Sequence, residues 1–495
     1  MDRATLVASL MAPPEPEGED LASLPGAVGF IEVRADLAGD PDTDWLRQRF
    51  GGQLIYALRS RNEGGAFVGS PSERAKRLAR AATRYDLVEL EGERDLTPDL
   101  LRKIPAKKRL ISWHGKADLR GLKERFERFS AVQAKLYKFV SAAEHASDGF
   151  APLLLLKSLG RSDVVAFADG EAGFWSRLVA LRLGAPVVYG RVSSGRPVSG
   201  DVPVARLIQD YGLPELRPTE KIYGIVGNPV AHSLSPRLHN AAYRNLGHAA
   251  LFVPFQAESF EGFWRDIVTG PGLEQLGLTL GGLTVASPHK EALADFAVKS
   301  TSMVRRVNSS NVLVRNNGGW MAGTTDPEGV SVVLADRGVA IAGKKAAVIG
   351  CGGAGRAIAA VLDEAGAEVT LVNRGFDRGD LASDLLGLPF VPLSEFDSRG
   401  FSILINATPV GREDDDTPFE VAGACEDAII VDLVYSSGYT RLVSDSLNSG
   451  RIAIDGREVL LVQVERQFRM MTGRQMPEGL GQEVLAWDPP VAALV

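Results

Sequence analysis

The sequence lacks a disulfide framework, since its 495 residues include two cysteines, Cys351 and Cys425. Cysteine this scarce is typical of a reducing compartment, and we expect a cytoplasmic protein. The six histidines form neither an HxxxH pattern nor a Cys/His cluster, which argues against a metal centre. No segment approaches the roughly 20 apolar residues of a membrane-spanning helix. The short apolar stretch Thr5–Met11 continues into acidic, proline-rich sequence, so we expect no secretory signal.

A strong excess of one charge is also missing. The 55 Lys and Arg residues nearly balance the 62 Asp and Glu residues, which leaves a net charge of −7. The basic residues are scattered, and this distribution indicates neither a nucleic-acid partner nor a membrane surface as a partner. A chain of 495 residues is too long for one ordinary hydrophobic core, so we expect two or three domains.

Eight short apolar runs alternate with helical stretches over the first 210 residues. This alternation predicts a (β/α)8 barrel at residues 1–212, near the lower end of the length of that fold. The runs are Thr5–Leu10, Val28–Asp36, Gln53–Ser60, Leu87–Glu91, Lys108–His114, Ala134–Ser141, Val164–Asp169 and Pro186–Val192.

Polar side chains lie where several of these runs end, as in Ile31-Glu-Val-Arg-Ala-Asp36. Such alternation is commonly a strand with one face in water. In a (β/α)8 barrel, however, polar residues near the carboxyl end of a strand line the mouth of the active site. Because the pattern recurs on five runs, we favour that interpretation. The positions are Glu32, Arg34, Arg59, Glu89, Glu91, Ser112, His114 and Lys138.

Lys138 is the candidate nucleophile of this region. A lysine at a strand end commonly extends its amine into water, whereas a desolvated amine near other cations loses its proton and attacks ketones. Lys135 is a rival, but its side chain points to the other side of the strand. His114 would move protons, with a carboxylate such as Glu91 fixing its tautomer. The arginines fit an anionic substrate.

Several short motifs follow one another in order: Glu32-Val-Arg-Ala-Asp36, Arg59 with Glu63-Gly-Gly65, Ser112-Trp-His114, Lys138-Phe-Val-Ser and Ser176-Arg177. Together they resemble type I 3-dehydroquinate dehydratase. The resemblance implies that Lys138 forms an imine with the substrate ketone and that His114, oriented by Glu91, moves protons. It also implies the substrate ligands Glu32, Arg34, Arg59 and Arg177.

The loop that closes this site in the family contains a glutamine that is missing here. The corresponding segment is Ser193-Ser-Gly-Arg-Pro-Val-Ser-Gly200. Either Ser199 takes the place of the glutamine as a substrate ligand or the loop closes in another way.

A second patterned region follows Asp210–Lys221, a polar segment with two prolines that we interpret as a linker. A strand at Ile222–Val226 opens one α/β pattern, and a strand at Ala346–Ile349 opens another. The alternation predicts a doubly wound parallel sheet. The predicted domains are a substrate-binding domain at 220–326, a Rossmann-type NADP-binding domain at 327–455 and a C-terminal helical segment at 456–480 that returns to the substrate domain.

The glycine-rich turn Gly350-Cys-Gly-Gly-Ala-Gly355 lies between a strand and a helix. In that setting GxGxxG indicates a dinucleotide site, because the backbone can approach a pyrophosphate at the start of the helix. The next strand ends in Asn373-Arg374, with Arg378 nearby. An acidic residue there would favour NAD, whereas arginine suits a 2′-phosphate and predicts NADP(H). A solvated surface arginine is the alternative.

The segment from Tyr223 reads YGIVGNPVAHSLSPRLHN and ends at Asn240. It closely resembles shikimate dehydrogenase, and the resemblance extends over about residues 220–480. The further matching motifs are Pro288-His-Lys290, Val307-Asn308, Gly323-Thr-Thr-Asp326, the glycine-rich turn, Asn406-Ala-Thr-Pro409, Asp432-Leu-Val-Tyr435 and Gln463.

This resemblance implies a role for each matching residue. Lys290 and Asp326 would be the catalytic pair, because reduction of a ketone needs a proton donor beside the oxygen as hydride arrives. Without the surrounding motifs, Lys290 would be read as a lysine of a surface loop. Ser233 and Ser235 would bind the substrate carboxylate, although serines before a proline are also common helix caps. The other implied residues are the hydroxyl ligands Asn308 and Gln463 and the cofactor ligands Gly350, Gly352, Gly353, Ala354, Gly355, Asn373, Arg374, Arg378, Thr408 and Tyr435.

Three positions depart from the pattern of this family. Ala286 replaces a substrate-facing threonine, for which Thr284 or Ser287 would compensate. Thr324 replaces an asparagine in the sequence Asn-Thr-Asp. Both changes affect how substrate hydroxyls are recognised and leave open whether the enzyme prefers shikimate or quinate. Arg306 replaces a small residue, for which the sequence offers no explanation.

The two resemblances together predict a bifunctional enzyme. It would dehydrate 3-dehydroquinate to 3-dehydroshikimate through a Schiff base and then reduce this product to shikimate with NADPH. The alternatives are a quinate/shikimate dehydrogenase of catabolism and a non-catalytic metabolite-sensing regulator on the same folds. Retention of all four candidate catalytic residues, Lys138, His114, Lys290 and Asp326, argues against the regulator. The sequence gives no oligomeric state.

Overall fold

A computed structural model describes residues 3–14, 19–192, 202–291, 293–413, 415–436 and 438–486. The chain divides into two compact units, Met1–Leu280 and Gly281–Val495. Among the described residues, no helix has both the length and the apolar character needed to cross a membrane.

The first unit begins with eight parallel strands: β1 (Thr5–Leu10), β2 (Val28–Arg34), β3 (Gln53–Ala57), β4 (Leu87–Glu91), β5 (Arg109–Gly115), β6 (Leu136–Ala142), β7 (Val164–Asp169) and β8 (Val187–Arg191). They pair in the order β7-β6-β5-β4-β3-β2-β1-β8 and form a nearly closed barrel. Strands β4 and β6 are buried on both faces, as expected when one face contacts helices and the other fills the barrel. The predicted (β/α)8 barrel is confirmed.

Helices follow the strands: α1 (Glu19–Ala22), α2 (Thr43–Arg49), α3 (Pro71–Ala81), α4 (Pro98–Lys103), α5 (Leu119–Ser130), α6 (Phe150–Leu159), α7 (Phe174–Ala180) and α8 (Val204–Tyr211). Their ends carry local signals. The hydroxyl of Ser70 accepts a hydrogen bond from the N–H of Glu73, and Pro71 opens α3. Helix α6 ends at Gly160, whose φ of 58° is a conformation that glycine adopts without steric cost.

The first unit continues with β9 (Lys221–Gly227), α9 (Ser235–Asn245), β10 (Ala250–Gln256), α10 (Phe260–Phe263) and α11 (Gly272–Leu276). Strands β9 and β10 pair in parallel. Helix α9 contacts both α8 and β10, so the last helix of the barrel lies directly against this second α/β element.

Most of β11 (Thr279–Val285) belongs to the second unit, which continues with β12 (Lys299–Ser300), α12 (Ser302–Val307), β13 (Val312–Asn316), β14 (Gly319–Gly323) and α13 (Asp326–Asp336). Strands β11 and β13 pair antiparallel, and so do β13 and β14. Strand β12 pairs in parallel with β14. The turn after β14 therefore places the start of α13 close to the end of β11.

A doubly wound sheet follows: β15 (Lys345–Ile349), α14 (Gly353–Glu364), β16 (Glu368–Asn373), α15 (Phe376–Leu386), β17 (Phe390–Pro392), β18 (Ile403–Asn406), β19 (Ile429–Asp432), α16 (Arg441–Asn448), β20 (Ile452–Ile454), α17 (Gly456–Thr472) and α18 (Leu480–Leu485). The strand order is β17-β16-β15-β18-β19-β20, with every pair parallel. The order reverses between β15 and β18, where dinucleotides bind in such sheets. The predicted Rossmann-type domain is confirmed.

Candidate active sites

Lys138 lies in the middle of β6, and only 2% of its surface is exposed. Its Nζ donates hydrogen bonds to Glu32 Oε1 at 3.1 Å and to Glu89 Oε2 at 2.6 Å, and it lies 4.7 Å from the ring centre of Tyr189. Burial of an ammonium group is tolerated only when such partners compensate for lost water. The rival Lys135 is exposed and precedes the strand.

Glu32 stays ionised beside this lysine. Burial alone would raise the pKa of its carboxyl, but the charges of Lys138, Arg59 and Arg34 outweigh that effect and lower the pKa to about 2. The hydroxyl of Ser9 adds a hydrogen bond of 2.6 Å to Glu32 Oε2. The carboxylate is therefore fixed in position before any substrate binds.

His114 is the second candidate catalytic residue, and its ring is held by Glu63. The Nδ1 atom lies 2.9 Å from Glu63 Oε2, and the backbone N–H of His114 donates to the same oxygen at 3.1 Å. The Nε2 atom is buried without a hydrogen-bond partner among the described residues and lies 3.8 Å from Glu89 Oε1. This nitrogen therefore faces Lys138 and its partners Glu32 and Glu89, which we call the Lys138 cluster, and is available to a ligand.

The sequence assigned the orientation of His114 to Glu91, and the structure corrects that assignment. Glu91 accepts hydrogen bonds from the N–H of Ser60 at 2.6 Å and from its hydroxyl at 2.8 Å, and Arg74 Nη2 lies 3.4 Å away. The physical reason is geometric: the turn after β3 brings Glu63 over the end of β5, while Glu91 is occupied by Ser60 of that turn and by Arg74 of α3. Glu63 belongs to the motif Glu63-Gly-Gly65, but nothing in the spacing of the motifs indicated that it contacts His114.

Burial shifts the pKa values of His114 and Glu63 in opposite directions. Burial, followed by the nearby carboxylates Glu91 and Glu89, raises the pKa of Glu63 to about 9. Burial, followed by the charges of Arg59 and Lys138, lowers the pKa of His114 well below its usual value. Both shifts favour a neutral pair that shares one proton.

Two predicted substrate ligands, Arg34 and Arg59, differ in how they are held. Arg34 forms a bidentate pair with Asp36, with Nε and Nη2 at 3.0 and 2.8 Å from its two oxygens. The Nε of Arg59 is buried and has no hydrogen-bond partner among the described residues. Arg59 is therefore the better placed of the two to bind an anionic group of a ligand.

Arg177 bridges β7 and β8, the first and last strands in the pairing order of the barrel. Its Nη2 lies 2.6 Å from Asp169 Oδ1 at the end of β7, and its Nη1 donates to the carbonyl of Tyr189 in β8 at 3.0 Å. The sequence predicted a substrate ligand here, and the structure adds this bridging contact. The other predicted ligand of the loop, Ser199, lies outside the described residues.

Two buried hydroxyls beside Lys138 have no hydrogen-bond partner among the described residues: those of Ser112 and Tyr189. Ser112 is the register partner of Lys138 on the neighbouring strand. Burial, together with the carboxylates Glu32 and Glu89, raises the pKa of Tyr189 well above its usual value, so its phenol remains a donor. Unpaired buried hydroxyls are costly, and a ligand rich in oxygen would satisfy them.

Lys290 and Asp326 form the centre of the second site. Lys290 lies in a short turn after β11, and its Nζ is 2.9 and 3.1 Å from the two carboxylate oxygens of Asp326. Asp326 is the first residue of α13, where the helix dipole favours a negative charge. Gln463 of α17 donates to Asp326 Oδ1 at 3.1 Å. Three predicted site residues are thus brought together.

An amide that the sequence did not single out, that of Asn311, also contacts this pair. Asn311 Nδ2 lies 2.9 Å from Asp326 Oδ1, and its Oδ1 accepts from the N–H of Thr325 at 2.9 Å. Asn308 is exposed, ends α12 with a φ of 46°, and gives its carbonyl to Arg356. The resemblance implied Asn308 as a ligand of substrate hydroxyls, whereas Asn311, which contacts Asp326, lies three residues later and directly precedes β13.

The structure explains one departure from the family pattern. The guanidinium of Arg306 on α12 lies 2.6 Å from Asp363 and 2.5 Å from Glu364, so it ties α12 to the end of α14. Of the two residues that would compensate for Ala286, Thr284 is buried and Ser287 is exposed.

The glycine-rich turn fits a pyrophosphate. Gly350 has a φ of 108°, and a Cβ on Gly355 would lie 1.8 Å from the carbonyl oxygen of Gly350, so both positions require glycine. A Cβ on Gly352 would meet open space. Helix α14 starts at Gly353 and includes Ala354 in its first turn, and no side chain of the described residues caps its N–H groups. These donors suit an anionic ligand.

Two exposed arginines, Arg374 and Arg378, follow the end of β16. Arg378 Nη2 lies 3.6 Å from Oε1 of Glu291, the residue that follows Lys290 in the sequence. The side chain of Asn373 accepts from the N–H of Cys351 at 3.1 Å and so holds the glycine-rich turn. The cations and the turn therefore lie at the same end of the sheet.

Thr408 follows β18, and Tyr435 follows β19 of the same sheet. Thr408 donates to Asn406 Oδ1 at 2.7 Å, and Asn406 Nδ2 donates to Asp432 Oδ1 at 2.9 Å. Tyr435 follows β19 and is half-buried. Both residues are located at the carboxyl ends of their strands, where ligands of doubly wound sheets bind.

Ser233 and Ser235 lie at the start of α9 in the first unit. The backbone N–H of Ser235 donates to the hydroxyl of Ser233 at 3.2 Å, and Pro236 stands in the first turn. Ser233 therefore contributes to the local turn, while Ser235 is buried.

Comparisons with known proteins match both halves of the chain. A family model described as type I 3-dehydroquinase matches residues 11–216, and one described as shikimate dehydrogenase substrate binding domain matches residues 225–313. The chloroplastic bifunctional 3-dehydroquinate dehydratase/shikimate dehydrogenase of Arabidopsis thaliana is 25% identical over 492 residues, covering 92% of this chain and 80% of that protein.

The second half also resembles single enzymes. The shikimate dehydrogenase (NADP(+)) of Halobacterium salinarum is 37% identical over 262 residues, which cover 52% of this chain and 95% of that protein. The crystal structure of shikimate dehydrogenase from Aquifex aeolicus aligns with a TM-score of 0.50 at 26% identity and covers 55% of this chain and 99% of that chain.

Proposed function

The chain belongs to the shikimate dehydrogenase family and carries a type I 3-dehydroquinase domain before it, and we propose that Lys138 and Lys290 are the catalytic lysines of its two successive reactions. It is a bifunctional 3-dehydroquinate dehydratase and shikimate dehydrogenase. The observation that carries the assignment is the contact of each lysine with carboxylate oxygens at 2.6 to 3.1 Å inside its own domain.

In the barrel, Lys138 first gives up a proton, and its amine attacks the ketone carbon of 3-dehydroquinate. The resulting carbinolamine loses water to form an imine. The protonated imine draws electrons from the neighbouring C–H, which loses its proton, and the hydroxyl on the next carbon then leaves as water after it gains a proton. Hydrolysis of the imine releases 3-dehydroshikimate and restores the amine.

We assign the proton transfers to His114, with Glu63 as its positioning residue. The Nε2 of His114 faces the Lys138 cluster, while Nδ1 is held by Glu63. The carboxyl of Glu63 shares its proton with Nδ1, so the ring can release or take up a proton at Nε2 while the pair stays neutral. Arg59, whose Nε has no hydrogen-bond partner among the described residues, is our candidate for the substrate carboxylate.

In the second half, Lys290 donates a proton to the carbonyl oxygen of 3-dehydroshikimate, which becomes the hydroxyl of shikimate. NADPH supplies the hydride for this reduction when it is bound. Asp326 holds the ammonium of Lys290, and the amides of Asn311 and Gln463 hold Asp326. Ser233 and Ser235 remain our proposed ligands of the substrate carboxylate.

The cofactor site is assigned to the glycine-rich turn and the residues after β16. The N–H groups at the start of α14 would bind the pyrophosphate, and Arg374 with Arg378 would bind the 2′-phosphate. Asn373, Thr408 and Tyr435 complete the proposed set.

We also retain the domain boundaries 1–212, 220–326, 327–455 and 456–480 as part of the proposal. Small anionic metabolites are the expected partners, and a reducing, cytoplasmic setting fits the two cysteines.

The test is conversion of 3-dehydroquinate and NADPH into shikimate by the purified full chain. Borohydride reduction during turnover should fix a substrate adduct on the peptide that contains Lys138. Lys290→Ala should still form the adduct and accumulate 3-dehydroshikimate. An adduct on another lysine, or reduction at the wild-type rate in Lys290→Ala, would overturn the assignment.

A further inference from the structure

The last helix of the barrel holds the first helix of the shikimate dehydrogenase part through a buried carboxylate. Asp210 of α8 is 1% exposed. Its Oδ1 accepts from Arg237 Nε of α9 at 2.7 Å, and its Oδ2 lies 2.7 Å from Arg206 Nη2 of its own helix. Its backbone carbonyl accepts from Asn240 Nδ2 at 3.1 Å.

The same cluster reaches the loop that carries the two serines. Arg206 Nη1 donates to the carbonyl of Ala231 at 2.8 Å, so one guanidinium joins the Asp210 carboxylate to the backbone of this loop. The loop then turns through a hydrogen bond from Ser233 N–H to the carbonyl of Val230 at 3.2 Å. From this turn the chain runs directly into α9.

These contacts make the loop depend on the barrel. A planar guanidinium holds its N–H donors in a fixed geometry. When Arg206 is bonded to Asp210, the direction of its Nη1, which donates to Ala231, is therefore fixed as well. A buried carboxylate is stable only with its partners in place, which fixes Arg206 and Arg237 in turn. Arg206 and Asp210 lie in the segment that matches the dehydroquinase family, and Ala231 in the segment that matches the dehydrogenase.

We propose that Arg206 and Asp210, two residues of the dehydratase barrel, are positioning residues for the dehydrogenase reaction. They hold the backbone from Ala231 to Ser235 in the geometry in which the serine hydroxyls bind the substrate carboxylate. This inference rests on the proposed role of Ser233 and Ser235. It gives the fusion of the two enzymes a structural consequence, because the first domain then supports substrate binding by the second.

The test uses the full chain with Arg206→Ala and a matched control, Arg217→Ala. Arg217 Nη1 also donates to a backbone carbonyl at 2.8 Å, but to Arg244 at the opposite end of α9. Arg206→Ala should raise the KM for shikimate by about tenfold to a hundredfold, since misplacement of a binding group by an ångström has effects of that size. The KM for NADP and the dehydratase kcat/KM should stay at wild-type values, and Arg206→Lys should restore part of the loss.

A double variant separates positioning from general destabilisation. If Arg206 acts through Ser235, the effects of Arg206→Ala and Ser235→Ala on the KM for shikimate should be less than multiplicative in the double variant. Fully multiplicative effects, an unchanged KM in Arg206→Ala, or equal losses in Arg217→Ala would overturn the inference. An unchanged KM in Ser235→Ala would instead overturn the proposed role of the serine itself.

Discussion

His114 and Glu63 are 51 positions apart in the chain, yet the Nδ1 of the histidine lies 2.9 Å from Oε2 of the glutamate. The backbone N–H of His114 donates to the same oxygen, which fixes the carboxyl relative to both the ring and the strand. This pair leaves Nε2 directed at the Lys138 cluster, where a proton carrier is needed.

Glu63→Gln should therefore impair dehydration. The amide has nearly the same shape but cannot exchange a proton with Nδ1 of His114, so we expect dehydratase kcat/KM to fall by about 10²-fold or more. The rate of 3-dehydroshikimate reduction by the same sample should not change. Glu91→Gln is the control, because Glu91 contacts Ser60 and Arg74 and its loss should lower Tm more than activity. A larger loss of dehydratase activity in Glu91→Gln would restore Glu91 as the orienting residue.

The pKa of Glu63 also predicts a dependence of stability on pH. Its pKa is raised from 4.5 to about 9, so the folded protein keeps a proton that the unfolded chain releases above 4.5. The stabilisation from this group is complete below pH 4.5 and is lost as the pH rises toward about 9. The Tm of the wild type relative to Glu63→Gln should accordingly decrease between about pH 5 and about pH 8. A constant or increasing difference would contradict the raised pKa.

Lys138→Ala should abolish the dehydratase while Lys135→Ala leaves it intact. The first substitution removes the proposed nucleophile, and we expect a loss of roughly 10³-fold or more. The second removes an exposed amine that precedes the strand. Dehydration rate and borohydride trapping, measured on both variants, decide the matter. Trapping that disappears in Lys135→Ala and persists in Lys138→Ala would reverse the assignment.

Asn311→Ala and Asn308→Gly should separate the two candidate asparagines. Asn311 holds Asp326, so its loss should lower dehydrogenase kcat/KM by about tenfold to a hundredfold, the effect of one hydrogen bond to a charged group. Asn308 has a φ of 46°, which glycine adopts freely, and its contact to Arg356 uses the backbone carbonyl. Asn308→Gly should keep both activities. Loss of dehydrogenase activity in Asn308→Gly alone would support the sequence-based assignment.

Arg374→Ala should reduce the preference for NADP. Removal of one cation from the proposed 2′-phosphate site should raise the KM for NADP about tenfold or more and leave the KM for NAD nearly unchanged. Arg399→Ala is a suitable control, since Arg399 is another exposed arginine of the same domain and pairs with Asp397. Equal changes in both KM values would contradict a contact with the phosphate.

The sequence by itself determined the two folds and singled out the two lysines that we propose as catalytic. Periodic burial and turn residues are local properties, so the eight barrel strands and the glycine-rich turn could be read from nearby residues. Lys138 was distinguished from Lys135 by strand register alone. The position of Arg374 after β16 likewise followed from the order of strand, turn and helix.

Tertiary structure alone decided which polar groups meet. Glu63 and Asn308 each lay in a suggestive motif and Glu91 at the end of a predicted strand, but a contact between distant segments depends on turn geometry that no local pattern encodes. A shift of three residues separates Asn308 from Asn311, and one is an exposed helix end while the other is buried against Asp326. The link from Asp210 to Arg237 was equally invisible, because the sequence placed a linker between them, whereas burial of the carboxylate requires the two helices to pack.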